Sequence, residues 1–448
     1  MLAILLCIIA FVATYLSARR TLAAGLLAVT AAGYLYGILR ANIQSPASHF
    51  IFDASLTGLY LAFGARFFDS AGDDKKGALR LWTAILICWP CLLCFLPFQP
   101  LMVSLVGLRG NIFFLPILLI SGSVRHADWR RFAFGLALLN ILALGFGVAE
   151  YFRGIEPFFP RSAVTSIIYA SGDVAGGNYR IPSLFSSAHA YAGTMVATIP
   201  FLFGAWIQPD RKRFQTPLLL AGMVAALCGV LLASTRTYFV IALYFVTIAI
   251  FGSALGARKR KLLSVVIVAL CALALTNERF QRFKSLSDSD MVVERVAGSV
   301  NRSFFEILFE YPMGNGLGGG GTSMPFFLQD RIQRPINIES EYARILAEQG
   351  IIGLGLWTGF IVWCVFRRTP FVPHPWRTSR RMIWYWYTLS FVMAAIGIGM
   401  LTAIPTTFLF LLAVGWAVVI PGPEPSDLFE TSARRVRLIQ SAGAAYVR

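Results

Sequence analysis

Apolar segments long enough to cross a membrane recur from one end of this chain to the other. They run over 2–16, 21–39, 53–68, 81–97, 101–121, 132–149, 184–206, 217–233, 237–255, 260–275, 343–366, 382–397 and 399–419. A span needs about 20 mostly apolar residues, and in hydrocarbon only helices and closed barrels satisfy every backbone polar group. The expected fold is all-α: a polytopic membrane protein with about 12–13 transmembrane helices and a large extracytoplasmic loop containing short helices. The composition agrees. Charged residues are 14% of the 448 and hydrophobic ones 57%, where a soluble globular chain carries about 25% charged residues.

Charge sets the expected orientation. A formal net charge of +17 would in a soluble chain point to nucleic acid. Here the basic residues come in short clusters between apolar runs, as at Arg258, Lys259, Arg260 and Lys261, so no nucleic-acid partner is expected. One alternate set of connections (Arg19–Arg20, 66–80, 125–131, 211–213, 258–261, 367–381 and the tail from 434) holds 25 of the 39 lysines and arginines. Short loops with that bias stay in the cytoplasm. The tail is then cytoplasmic, and the 150–183 and 276–344 segments face outside together. Met1 to Leu16 carries its charge after the apolar run, at Arg19 and Arg20. That is the reverse of a cleavable signal peptide, and the stretch is read as a first span with its N-terminus outside.

The layout that follows is N-terminal transmembrane helices over 1–149, an extracytoplasmic loop over 150–183 and central transmembrane helices over 184–275. A large extracytoplasmic catalytic loop covers 276–344, C-terminal transmembrane helices 345–420 and a cytoplasmic tail 421–448. All seven cysteines fall in apolar segments, which leaves no disulfide framework to argue from. Cys88, Cys91 and Cys94 have no His or carboxylate beside them. They read as buried small side chains rather than as a zinc site, which takes four ligands.

Thr276 to Arg344 is the one long polar interval. It carries Arg279, Arg282, Lys284, Arg295, Arg302, Arg331, Arg334 and Arg344 among carboxylates, with a glycine run from Gly314 to Gly321. So many charges cannot lie in hydrocarbon, and the chemistry is expected here. Arg180 opens RIPSLFSSAHAYAG, Arg302 lies in the amphipathic stretch SVNRSFFEILFEYPMG, Arg236 sits in the short turn STRTYF, and Arg109 is near the outer end of the fifth span. A guanidinium fork matches phosphate oxygens, so several on one face suggest an anionic ligand such as a lipid pyrophosphate. For Arg109 and Arg236 anchoring at a helix end accounts equally well. His189, near the outer end of its span, is open to packing or to lining a cleft.

In IESEYARILAEQGIIGLGLW, Ser340 is placed to start the helix, and Arg344 and Glu348 stand four apart as a pair. Glu339 and Glu341 lie at the outer boundary. Partial burial there raises a carboxylate pKa and suits it to deprotonate a sugar hydroxyl; favouring the helix dipole is the equal alternative. The glycine run lacks the Lys-Ser/Thr of a P-loop and is read as a flexible turn that lets backbone pass close to substrate.

Taken in order, RIPSLFSSAHAYAG with Pro200, STRTYF, NRSFFEILFEYPMGNGLGGGG and ESEYARILAEQGIIGLGLW resemble the O-antigen ligase and polymerase family of bacterial envelope glycan enzymes, over roughly the second half of the chain. The resemblance implies a metal-independent, cofactor-free glycosyltransferase of the bacterial inner membrane, with its site facing the periplasm. The implied donor is a polyprenyl-diphosphate-linked glycan and the acceptor a glycan or glycolipid such as lipid A-core sugar. Membrane lipids and a chain-length regulator are the further partners. By position, Arg180 and Arg302 match loop arginines that hold the pyrophosphate, and Arg236 matches a Ser-Arg turn. Ligases of the family commonly place His-Asn where this chain has Glu339-Ser340, a departure that favours polymerase over ligase. Glu339, then Glu341, is the expected catalytic base; Arg180, Arg236, Arg302, Arg344, His189 and Arg109 are the expected substrate-binding residues. The competing expectation, a glycolipid transporter or flippase, calls for internal repeats and ionisable groups near the bilayer midplane; the sequence shows no repeat.

Overall fold

Single polar residues between apolar runs set where helices begin. Thr21 separates the first two, and its Oγ1 accepts from Ala24 N at 3.1 Å. Ser187 and Ser340 do the same for Ala190 N and Ala343 N, each at 3.1 Å. Each side chain satisfies a backbone donor that the first helical turn leaves open. The computed structural model describes residues 1–69, 77–170, 179–208, 215–251, 256–276, 304–321, 324–336, 340–372, 374–395 and 400–419, with the isolated positions 293, 297, 338 and 397.

Among these residues every regular element is helical. In order they are α1 (Leu2–Arg20), α2 (Leu22–Asn42), a 3-10 turn (Pro46–Phe50), α3 (Ile51–Asp69), α4 (Gly77–Leu93), α5 (Leu101–Ile112), α6 (Ile117–Ser121) and α7 (His126–Arg153). Then come α8 (Ser166–Tyr169), α9 (Ala188–Ile207), α10 (Gln215–Leu232), α11 (Arg236–Phe251), α12 (Ala257–Thr276), α13 (Glu306–Glu310) and α14 (Phe326–Gln329). The chain ends with α15 (Glu341–Val365), a 3-10 turn (Thr369–Phe371), α16 (Arg377–Met393) and α17 (Thr406–Val418). Each of the thirteen apolar segments overlaps a helix. Among the described residues, seven spans are long and apolar enough to cross a membrane: Leu2–Arg20, Leu22–Asn42, Leu101–Ser121, His126–Arg153, Ala188–Ile207, Gln215–Leu232 and Glu341–Phe371. The protein is an all-α polytopic membrane protein.

The apolar runs do not all become straight helices. The 101–121 run divides into α5 and α6, with Pro116, which has no N–H to donate, in the gap. The last run starts its helix only at Thr406. The 382–397 run starts early, so Arg377, Arg380 and Arg381 belong to α16 rather than to the preceding connection. At the centre is α9, with 94% of its apolar window buried, against 17% for α1. The exposed apolar side chains of α1, among them Leu5, Ile8 and Val12, suit a lipid-facing helix. Asn140 of α7 ties the centre together: it accepts from Tyr34 Oη (α2) at 2.6 Å and donates to Thr198 Oγ1 (α9) at 2.8 Å. Such interhelical bonds join helices whose apolar surfaces gain nothing over lipid by meeting.

Described residues of 155–170, 179–187, 304–321 and 324–336 pack at one end of the bundle. Leu184 O accepts from Ile38 N at 3.0 Å, and Phe158 O from Asn42 Nδ2 at 2.9 Å, both at the C-terminal end of α2. In the 3-10 turn that follows, His49 lies 5.7 Å from the rings of Phe326 and Phe327. Gln99 Nε2 donates to Asn315 O at 2.9 Å and to Gln333 O at 3.0 Å.

Candidate functional site

The polar end is built around a break in α15. Gly350 has φ 68° and ψ −173°, a conformation that residues with a Cβ avoid; a Cβ there would meet the Met313 carbonyl carbon at 2.6 Å. Neighbouring segments answer backbone groups at the break. Ile351 N donates to Pro312 O at 2.9 Å, Ala347 O accepts from Asn315 N at 2.6 Å, and Gln349 O accepts from Trp89 Nε1 at 3.1 Å. Irregular backbone within a bilayer persists only when satisfied in this way. The 311–315 strand of loop is thereby spliced into the helix.

On the short half of α15 before the break, Glu341, Arg344, Glu348 and Gln349 are all buried, none more than 1% exposed. Arg344 Nε donates to Glu341 Oε1 at 2.7 Å, and Arg344 Nη1 to Glu348 Oε2 at 3.0 Å and Asn111 Oδ1 at 3.1 Å. Asn111 Nδ2 donates to Glu348 Oε2 at 2.7 Å, and Gln349 Nε2 to Asn111 Oδ1 at 2.9 Å. Five side chains from α5 and α15 make one network, in which two carboxylates share one guanidinium. The second carboxylate oxygen of Glu348 is buried without a partner, and a Cβ on Gly320 would lie 3.0 Å from it.

The glycine run is a turn, with positive φ at Gly314, Gly316, Gly318 and Gly321. It also packs closely on α5, where a Cβ on Gly107 would sit 2.3 Å from Gly318 N. Small residues are needed on both sides because backbone meets backbone there.

A second cluster adjoins on α5. Arg109 grips Asp53 with both arms of its fork, Nε to Oδ1 at 3.0 Å and Nη2 to Oδ2 at 2.5 Å. His49 is 6% exposed with Nε2 unpartnered. Its pKa is pushed down to about 3, first by burial and then by the charges of Arg40 and Arg109. Arg40 itself lies 5.4 Å from the Tyr36 ring centroid.

Beyond α15, His189 Nε2 is 3.3 Å from Tyr238 Oη, within hydrogen-bond reach. Glu341 N donates to Ala394 O at 2.9 Å and Gly397 O at 3.1 Å, which seats the start of α15 on the segment after α16. Arg236 is the first residue of α11 and is half-buried. Arg180, also half-buried, precedes Ser183, whose N–H donates to Glu150 Oε2 at 2.8 Å and whose Oγ donates to Ala143 O at 2.7 Å.

Of the residues the sequence points to, Glu341 and Arg344 are joined directly. Arg109, on the same helix as Asn111, is bound to Asp53 instead, and His189 lies beside Tyr238. Arg344 and Arg109 are both engaged by carboxylates. Glu339 and Arg302 lie outside the described residues. Asn111, Glu348 and Gln349, which complete the network, and His49 and Asp53, which flank it, were not singled out as site residues. The signal that finds them is a polar side chain inside or beside an otherwise apolar span, which hydrocarbon tolerates only when it is paired or functional. Comparison with protein-family models finds no match for this chain, and comparison with curated proteins finds none.

Proposed function

We propose that the chain is a membrane glycosyltransferase that polymerises, or ligates, polysaccharide units from a polyprenyl-diphosphate-linked donor, in a bacterial inner membrane and on the periplasmic side. The observation that carries this reading is that described residues of two polar segments, Phe158 and Leu184 of one and Asn315 and Phe326 of the other, pack against neighbouring elements at one end of the helix bundle. A lipid-anchored donor reaches such a rim without leaving the membrane.

In this reading Arg180, Arg236 and Arg302 bind the diphosphate. The bond from the donor's anomeric carbon to the diphosphate oxygen breaks, and a bond from that carbon to the acceptor hydroxyl oxygen forms. The leaving diphosphate gains charge, and fixed cations stabilise it. The acceptor's proton passes to a carboxylate, Glu339 first and Glu341 second. Arg344, clamped between Glu341 and Glu348, orients Glu341 rather than touching the donor. His189 and Arg109 border the acceptor side. The break in α15 with its buried charges supports a second reading, a glycolipid transporter or flippase, since discontinuous helices and buried ionisable groups mark substrate paths.

Detergent-purified protein incubated with a polyprenyl-diphosphate repeat unit tests this. Extension to a ladder is expected for the parent chain, reduced about 10²-fold in Arg302→Ala and Glu339→Gln, the scale of losing one transition-state partner. Product only on lipid A-core acceptor selects ligation. No conversion with any acceptor, beside uptake in vesicles, selects transport and ends the enzyme reading.

A further inference from the structure

The other end of the bundle holds a basic structure that the proposed glycan chemistry does not use. No Asp or Glu occurs between Glu348 and Glu424, yet Arg367, Arg368, Arg377, Arg380 and Arg381 all fall in that interval. Arg380 belongs to the fold: it is 2% exposed, and its Nη2 donates to Ala417 O at 2.9 Å and to Val419 O, at the end of α17. Arg367 and Arg381 differ. The Arg367 guanidinium carbon lies 5.0 Å from the ring centroid of Trp363, and that of Arg381 lies 5.6 Å from the ring centroid of Phe371. The two seats are tied together, since Phe371 packs at 5.3 Å on Trp384 and Trp384 Nε1 donates to Val365 O at 3.0 Å. The Nε of each arginine is shut off from solvent with no hydrogen-bond partner.

Retention of basic residues on one side of a membrane accounts for arginines here. It does not account for their posture. An arginine serving orientation alone reaches out to water, whereas these two lie over aromatic faces with a polar atom desolvated and unanswered. Among the described residues no carboxylate answers it. Next to them the surface is apolar: Val362 is 48% exposed, Phe366 80% and Val372 40%. Two guanidinium forks beside exposed hydrocarbon-facing side chains match one kind of ligand, an anionic headgroup with acyl chains attached.

We propose that Arg367 and Arg381, with Arg368 and Arg377 exposed at the rim, form a site for the phosphate headgroup of an anionic phospholipid, whose chains lie along Val362 and Phe366. The site stands whether or not the chain transfers glycans.

The test is thermal unfolding of the full-length protein in neutral detergent, titrated with short-chain phosphatidylglycerol, with short-chain phosphatidylcholine or with inorganic phosphate. Phosphatidylglycerol is expected to raise the melting temperature at concentrations where the other two do not. The variant Arg367→Gln/Arg381→Gln should need at least tenfold more phosphatidylglycerol for the same shift. Arg19→Gln/Arg20→Gln, which removes the same charge from the same end, should behave like the parent. An equal response to phosphatidylcholine, an equal response to inorganic phosphate, or an unchanged response in the glutamine variant overturns the proposal. If that variant does not purify as a folded species, Arg367→Lys/Arg381→Lys keeps the charge and loses the forks. An unchanged titration midpoint there is equally decisive against it.

Discussion

Arg344 shows how far burial governs what one residue does. Its guanidinium pairs with both Glu341 and Glu348, so Arg344→Met removes the counter-charge that the two buried carboxylates share. Breaking a buried ion pair from one side costs about 3–5 kcal/mol, and the variant should melt far below the parent or fail to purify. A parent-like melting curve with only weakened donor binding would instead make Arg344 a ligand residue. His374 makes a different prediction. Its Nδ1 accepts from Trp376 N at 3.0 Å, which leaves Nε2 to donate to His126 Nε2 at 2.5 Å. Burial, then the charges of His126 and Arg380, push its pKa down to about 3 from the ordinary 6.5. The unfolded segment therefore takes up a proton first as pH falls. The stability this contact contributes is complete above about pH 6.5 and is lost as pH falls from there toward 3. Hydrogen exchange in residues 366–380, corrected for intrinsic rate, should accelerate between pH 7 and pH 5, and His374→Gln should flatten that dependence.

Elements are held by close approaches that single atoms decide. Gly350→Ala puts a Cβ at φ 68° and 2.6 Å from Met313; strain of this kind costs about 1–3 kcal/mol, read as a lower melting temperature. Gly107→Val drives a side chain into Gly318, and overpacking of about 1–3 kcal/mol should lift the 314–321 run off α5. Faster proteolysis within 304–340, with the helices still intact by circular dichroism, is the expected readout; unchanged proteolysis would mean the run does not depend on that contact. At this scale the sequence was readable in part. Ser340 as a cap and Arg344 with Glu348 are local patterns, separated by a helical turn, and both stand as expected. The break at Gly350 was not readable, because QGII differs from any glycine in a helix only by what Met313 and Pro312 do beside it.

Over the whole molecule, the arrangement predicts which segments share a side of the membrane. Cysteines introduced at Arg161 and Arg331, at the polar end, should be labelled by an impermeant reagent from one side. Cysteines at Arg125 and Arg368 should be labelled only from the other. Labelling of Arg161 and Arg331 positions from opposite sides would undo the common site. The sequence by itself determined that the regular elements of the described residues are helices, where the long ones lie and where several begin. Those outcomes rest on about 20 residues of local apolarity and on backbone groups that must bond within their own segment. Tertiary structure alone decided that Asn111 meets Arg344 across 233 positions of sequence, that Arg109 is held by Asp53, and that His49 is buried against Phe326 and Phe327. Such meetings depend on which helix faces which, and an apolar surface in lipid does not encode its neighbour; the few buried polar atoms and the glycine contacts do, once the helices are side by side.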